Sequence, residues 1–224
     1  YGDVIIGSYR WDNGLLTANE GRAYVYHGSA AGLLSTAAWT GESNQAGAFY
    51  GEAVAGAGDV NGDGYADVVV AAPRYDGPTI LDEDRGQAYL YLGGPSGLAN
   101  SAVWTKSTSA RLATFGRSVA SAGDVNEDGY ADILVGSPGQ REAYLFYGGA
   151  SGPSLAAGWT VSDPQVSAGF GSSVAGAGDV DADGYVDVVV GAPGYENGEQ
   201  GEGAAFLYLG SASGLSTTPD WSTE

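Results

Sequence analysis

The chain contains no cysteine and no methionine, one histidine, and only 8 lysines and arginines in 224 residues. Each shortage removes a class of protein. Without cysteine there is no disulfide framework, no thiolate metal site and no cysteine nucleophile. Eight scattered cations against 27 acidic residues, a formal charge of −19, cannot neutralise a phosphate track, which argues against a nucleic-acid partner. No run approaches the ~20 apolar residues of a membrane span. The chain starts at Tyr1 rather than at a methionine, with no leader ahead of it, and reads as processed, excised or partly represented. What is plentiful is glycine, 39 residues, and the hydrophobic content of 43% suits a folded core rather than a disordered acidic tail.

Self-comparison exposes a repeat. Trp39, Trp104, Trp159 and Trp221 share one local context, at spacings of 65, 55 and 62. From each of the first three, the next Gly-Tyr marker (Tyr65, Tyr130, Tyr185) follows after 26 residues, and from Tyr24, Tyr89, Tyr144 and Phe206 the next Trp follows after 15. All variation lies between an apolar run and the next aromatic segment. From Tyr9, Pro73, Pro138 and Pro193 to that aromatic the gaps are 15, 16, 6 and 13. A fixed scaffold with one elastic loop per unit is the signature of a stacked or radial repeat, with insertions collected on one face.

Within a unit the pattern predicts four short strands. Val68–Val70, Ile133–Val135 and Val188–Val190 are apolar runs suited to strands buried on both faces. Ala88–Leu92, Ala143–Tyr147 and Ala205–Leu209 alternate aromatic with aliphatic residues. Ser118–Ala120 and Ser173–Ala175 supply another strand, and the Trp-Thr segment a fourth. No long helical period exists. Four strands per ~60 residues predict an all-β propeller blade, with a β-solenoid as the other reading.

The Asp and Gly residues concentrate in one nine-residue element. Asp59, Asn61, Asp63 and Asp67 occupy positions 1, 3, 5 and 9; Asp124, Asn126, Asp128 and Asp132 repeat the pattern, and so do Asp179, Asp181, Asp183 and Asp187. Gly64, Gly129 and Gly184 follow position 5, where a tight turn calls for positive φ. The backbone carbonyls of Tyr65, Tyr130 and Tyr185, at position 7, complete a set of hard oxygens that suits Ca²⁺ better than the strictly octahedral Mg²⁺. Position 12 is a valine in a strand (Val70, Val135, Val190) instead of the EF-hand glutamate, so the expected element is a Ca²⁺ loop in a β-hairpin. The competing reading is an Asx-rich turn without metal. Three copies at one spacing favour the metal, since clustered carboxylates repel without a cation. A fourth copy, Tyr1-Gly2-Asp3, holds positions 7 to 9 only, so its site is truncated.

These elements together resemble the FG-GAP repeat of integrin α-subunit propellers and many bacterial surface proteins. The FG element stands at Tyr50-Gly51, Phe115-Gly116 and Phe170-Gly171, the first with Tyr for Phe. The GAP element is Ala71-Ala72-Pro73, Gly136-Ser137-Pro138 and Gly191-Ala192-Pro193, with Gly7-Ser8-Tyr9 lacking the proline. The resemblance implies a β-propeller, usually of seven four-stranded antiparallel blades. It also implies structural Ca²⁺ in the hairpin joining the first two strands of a blade, on the lower face, and partner contacts through the loops of the upper face. About 3.7 repeats are present. The expected blades are 1–42, lacking its inner strand, 49–107, 114–162 and 169–224. The remaining blades are expected from sequence beyond this chain or from another chain.

The function expected on this basis is a calcium-stabilised extracellular adhesion or interaction module, secreted or at the cell surface. Its partner, a protein or a glycan, is expected at the elastic loops: Trp11, Asp12 and Glu20 in the first, Asp76, Asp82, Glu83 and Asp84 in the second, Glu196, Glu199 and Glu202 in the last. The plain alternative for these acids is a solvated surface, and for Trp11 local packing. A lectin-like propeller, or the binding part of a polysaccharide-active protein, is the other functional reading. It needs free aromatic faces, whereas recurring Trp and Tyr positions point to packing between blades. Catalysis finds little support. His27 sits at a strand end where other units carry Leu92, Tyr147 or Leu209, no G-x-S-x-G nucleophile motif is present, and a carboxylate pair for glycoside hydrolysis cannot be picked out by spacing alone.

Overall fold

A computed structural model describes residues 1–14, 18–79, 83–199 and 201–224. Among these every regular element is a strand, in keeping with the short β-branched and aromatic runs and the glycine-rich turns between them. The first sheet has three strands in the order β1 (Val4–Ser8), β2 (Arg22–Tyr26) and β5 (Trp39–Glu42). Between β2 and β5 a small hairpin forms from β3 (Gly28–Ser29) and β4 (Gly32–Leu33). The second sheet is β6 (Ala53–Gly58), β7 (Asp67–Ala72), β8 (Gln87–Tyr91) and β9 (Trp104–Ser107). The third is β10 (Ser118–Gly123), β11 (Asp132–Ser137), β12 (Glu142–Phe146) and β13 (Trp159–Ser162). The fourth is β14 (Ser173–Gly178), β15 (Asp187–Ala192), β16 (Ala204–Tyr208) and β17 (Trp221–Thr223). All four sheets are antiparallel meanders.

The first strands β6, β10 and β14 lie beside one another, and β1 is the nearest strand of the first sheet to β6. These are blades of a partial β-propeller, and the first lacks the strand that would pair with the free edge of β1. Each of β6, β10 and β14 shifts register by one residue just before the acidic nine-residue loop, between Gly56 and Gly58, Ser121 and Gly123, and Gly176 and Gly178. Such a bulge strengthens local twist and turns the chain into the loop.

The core lies between blades, not within them. Because successive strand residues face opposite sides, Val68 and Val70 pack toward the first blade while Val69 and Ala71 pack toward the third. Three clusters result, one at each junction. Each contains a Trp set edge-on to an aromatic of the following blade: Trp39 on Tyr91 at 4.7 Å, Trp104 on Phe146 at 5.2 Å, Trp159 on Tyr208 at 5.2 Å. The indole N–H of each donates to a carbonyl of that same blade, Ala99, Ser154 and Ser216, at 3.0, 3.2 and 2.7 Å. An amphipathic ring thus fills the cluster and satisfies its polar edge at once.

The two halves of the FG-GAP motif meet in space. The amides of Gly51, Gly116 and Gly171 donate to the carbonyls of Ala71, Gly136 and Gly191 at 2.9 to 3.1 Å, closing each blade's first and second strands. The preceding aromatics Tyr50, Phe115 and Phe170 are buried. The Tyr50 hydroxyl donates a hydrogen bond to Tyr91 Oη at 2.8 Å, and burial pushes its ionisation far up. The Tyr-for-Phe change is therefore accommodated by a partner within the junction. Glycine is required where the next blade crosses. Gly86 has φ of 77°, and a Cβ there would stand 2.1 Å from the Phe115 carbonyl.

Candidate metal centre

The three nine-residue loops join β6 to β7, β10 to β11 and β14 to β15. The elastic loops join the next pair of strands in each blade, so they emerge at the opposite end of the sheets. Metal-type loops and variable loops are thereby separated by the length of a strand.

Each loop is built alike. Asp59 Oδ1 and Oδ2 accept the amides of Asp63 and Gly64 at 3.0 and 2.8 Å, and Asp63 Oδ1 accepts the Tyr65 amide at 3.0 Å. Asp124 and Asp128 repeat these bonds on Asp128, Gly129 and Tyr130, and Asp179 and Asp183 on Asp183, Gly184 and Tyr185. Gly64, Gly129 and Gly184 have φ of 88°, 90° and 100°, the backbone expected after position 5. The outward position 4 also has positive φ, which Gly62 adopts freely and Glu127 and Ala182 adopt at 56° and 62°.

Position 9 differs in character from positions 1, 3 and 5. Asp67, Asp132 and Asp187 open the second strand and are fully buried. One oxygen of each accepts the amide of loop position 2 (Val60, Val125, Val180) and the other the amide of Gly93, Gly148 or Gly210. Each oxygen keeps a further lone pair. Burial nevertheless dominates for two of them. It raises the Asp67 carboxyl, and raises that of Asp132 to about 6, against the lowering effect of the two amides. The neighbouring carboxylates of positions 1 and 5 push the same way.

The donor set fits a hard cation. Asp179, Asp181 and Asp187 bring carboxylate oxygens within 4.8 Å of one another. The Asp181 carboxyl is raised by desolvation and by Asp183, Asp187 and Asp179 around it. In the other loops Asn61 and Asn126 donate Nδ2–H to Asp63 Oδ2 and Asp128 Oδ2, both at 2.9 Å. Asn126 Oδ1 is then left buried with no hydrogen-bond partner. An orphaned acceptor beside carboxylates is a place for a cation, since it costs free energy otherwise. Asp3, in the truncated copy, accepts the Gly28 amide and the His27 Nδ1 at 2.9 Å each. His27 so occupies the carboxylate oxygen that loop position 2 takes in the complete copies.

At the opposite end, the candidate partner residues are largely engaged in shaping their own loops. Asp12 accepts the Asn19 amide, Asp76 the Asp84 amide, and Glu202 the amides of Asn197 and Glu199. Glu83 pairs with Arg111. Arg22 stacks on Trp11 at 4.5 Å, the local packing role for that ring. Glu20 is buried. Asp82 lies outside the described residues. Gln45 and Gln165, which position arguments on the sequence passed over, each clamp the next blade's elastic loop with two bonds. They bind the carbonyl and amide of Asp76 and of Glu196 at 2.7 to 3.1 Å. A Gln spaced alike in two of the units was the available signal.

Meandering four-stranded blades packed through recurrent aromatic junctions, with an acidic loop in the first hairpin of each complete blade, define a β-propeller repeat protein. The chain belongs to the FG-GAP repeat family, which matches it over residues 50–91, 115–158 and 170–208. Over the repeat region it is similar to integrin α-subunits. It is 37% identical to mouse integrin alpha-IIb over 163 residues, covering 67% of this chain and 15% of that protein. It is 32% identical to Drosophila melanogaster integrin alpha-PS2 over 208 residues, covering 85% and 14%. With mouse integrin alpha-8 the identity is 36% over 165 residues, covering 69% and 15%. The chain thus spans about one-seventh of the length of these relatives.

Proposed function

We propose that the chain is a calcium-stabilised, extracellular adhesion-type module. In this reading the cations sit in three blade hairpins and partners are met at the variable loops of the opposite end. Asp59, Asn61, Asp63, Asp67 and the Tyr65 carbonyl hold the first Ca²⁺. Asp124, Asn126, Asp128, Asp132 and the Tyr130 carbonyl hold the second, and Asp179, Asp181, Asp183, Asp187 and the Tyr185 carbonyl the third. The observation that carries this reading is the recurrence of one donor set at the same end of three successive hairpins, with Asn126 Oδ1 lacking any other partner. Bound Ca²⁺ offsets the repulsion among three, three and four carboxylates and ties the first strand of a blade to the second. The role is structural, because every donor comes from one short loop and little room remains for a substrate. A protein partner is preferred to a glycan, because Trp39, Trp104 and Trp159 are buried in junctions and offer no face to a sugar. Further blades would complete the ring.

Isothermal titration of chelated protein tests this. Three Ca²⁺ per chain are expected, with dissociation constants on the order of 10⁻⁴–10⁻³ M as in extracellular modules. At a hundredfold excess of ligand over its dissociation constant, each site adds about 2.7 kcal/mol to stability, so EDTA lowers the melting temperature and Ca²⁺ restores it. No binding heat together with an unchanged melt would overturn the reading.

A further inference from the structure

We infer that the elastic-loop end of the chain carries an anion-binding site, built by Arg10 and Arg74 on the rings of Tyr9 and Phe49, and that it takes a carboxylate from an acidic peptide segment of a protein partner. This deepens the functional reading above and rests on it in one respect, that partners meet this end of the blades. It does not depend on calcium.

Most cations of this chain hold its own structure together. Arg22, Arg111 and Arg117 pair with Glu42, Glu83 and Glu52. Arg85, Lys106 and Arg141 each donate to a backbone carbonyl, of Thr108, Leu155 and Pro164. Among the described residues that leaves Arg10 and Arg74, both exposed, whose guanidinium groups lie over aromatic rings instead of on an acceptor. Arg74 stands 4.7 Å from the Phe49 centroid and Arg10 5.3 Å from that of Tyr9. The two rings meet at 5.5 Å. The four side chains therefore form one row, Arg10, Tyr9, Phe49 and Arg74, across the junction of the first and second blades. A guanidinium laid on a ring is held in place while its N–H edge stays free to donate. Asp84 lies within electrostatic reach of Arg74, which lowers its carboxyl against the larger raising effect of burial, but the two form no ion pair.

The row is not something the repeat itself demands. Arg10 and Arg74 hold the same place in their units, directly after Tyr9 and Pro73, where the other two units have Gly139 and Gly194. Arg74 is exposed with the first strand of its own blade and the whole of the next blade in place, so exposure belongs to the position. Phe49 precedes the FG element, where the other complete blades carry Thr114 and Gly169, and all three have positive φ, at 57°, 51° and 65°. Glycine adopts that backbone freely, whereas a bulky aromatic there is an outlier, of the kind that gathers at ligand sites. Phe49 is only partly buried and Tyr9 is 37% exposed, so apolar ring surface stands beside two charges. A carboxylate flanked by an apolar side chain matches this arrangement, since the arginine fork pairs with a carboxylate through two bonds and the rings receive its neighbour. A densely sulfated glycan matches less well. Two arginines neutralise few of its charges, and the formal charge of −19 repels the rest.

Binding of the full chain to matched sets of immobilised short peptides tests this, the sets differing only in carrying Asp or Glu, Asn or Gln, or Lys beside a Leu or Phe. Retention by the acidic set is expected, and less of it as salt rises. With the strongest acidic peptide in fluorescence polarisation, Arg74→Gln and Arg10→Gln should each weaken binding at least about tenfold, the effect of removing one partner of a close charge pair. Lys106→Gln makes the same change of charge in β9 and should leave binding as it was. Phe49→Gly, which gives the second blade the residue of the fourth, should keep the parent circular dichroism and bind more weakly. No preference for the acidic set, or equal losses from Arg74→Gln and Lys106→Gln, would overturn the inference. So would retention of heparin through Arg10 and Arg74 with the acidic peptides left unbound, which would make the partner a glycan. Failure on any of these counts, with three Ca²⁺ still taken up in the titration above, removes the anion site and leaves the calcium-stabilised module standing.

Discussion

The second and fourth blades are built from nearly the same residues yet live in different surroundings. In the second, Val60 of the acidic loop, the Trp and the outer face of the middle strands are sealed by the third blade. In the fourth, residues 175–184 are exposed throughout, and Trp221 opens its strand half exposed. Strand pairing is the same in both. The difference shows that hydrogen-bond ladders define each blade, while the neighbour supplies most of the apolar burial. This division is expected when each repeat cannot bury its own faces alone.

Paired substitutions put numbers on that difference. The largest effect is expected at the tryptophans. Trp104→Ala should cost about 3–5 kcal/mol, the range for large-to-small changes in a core. Trp221→Ala should stay within about 0.5 kcal/mol, as surface changes do. Urea melts of the two variants give the comparison directly, and equal losses would remove it. Next in size is the glycine pair at the elastic-loop ends. Gly86 and Gly203 both have positive φ, at 77° and 74°. Only Gly86 faces a neighbouring blade, where a Cβ would stand 2.1 Å from Phe115 O, against 3.3 Å from Pro193 O at Gly203. Gly203→Ala should cost about 1 kcal/mol for the backbone alone, and Gly86→Ala clearly more, by chemical denaturation. Smaller again is the valine pair: Val60→Ala should cost about 1–2 kcal/mol from lost burial and Val180→Ala close to nothing, in the same assay.

The smallest effect belongs to Asp220 in the open blade, a residue with no acidic counterpart before Trp39, Trp104 or Trp159. Its carboxylate accepts the Leu209 amide and the Ser216 hydroxyl, and these bonds hold its ionisation below the ordinary carboxylate value. A group lowered on folding stabilises above its unfolded pKa of about 3.8 and loses that contribution as pH falls through the folded value. Asp220→Ala should therefore lower stability at pH 7 by no more than about 0.5 kcal/mol, given its exposure. The difference from the parent should vanish near pH 2. A difference that persists in acid would mean the carboxylate charge is not what acts.

Much of this architecture was legible in the sequence, because repeats turn long-range packing into spacing. The fixed interval from Trp39, Trp104 and Trp159 to the Gly-Tyr marker located the strands, and their recurrence marked them as junction residues before any contact was known. The glycine that follows position 5 correctly foretold the positive φ at Gly64, Gly129 and Gly184. Less could be read where one side chain has several possible partners. Asp67, Asp132 and Asp187 look like the other loop acids on paper, yet each is buried with both oxygens on backbone amides that come from two separate segments. Asp12, Asp76 and Glu202 looked like free surface charge and instead hold their loops in shape, a matter of loop conformation that composition does not encode. The small hairpin β3–β4 depends on local turn geometry and left no periodic trace.

The indole–carbonyl link has an optical consequence. Three of the recurring tryptophans are buried in nearly identical junctions and the fourth is half exposed, so their combined emission measures how many junctions are closed. A soluble quencher should reach Trp221 and the partly exposed Trp11 first, leaving a protected, blue-shifted population from Trp39, Trp104 and Trp159. Opening any one junction would move roughly a third of that population to the quenchable class, making the chain its own gauge of where it comes apart.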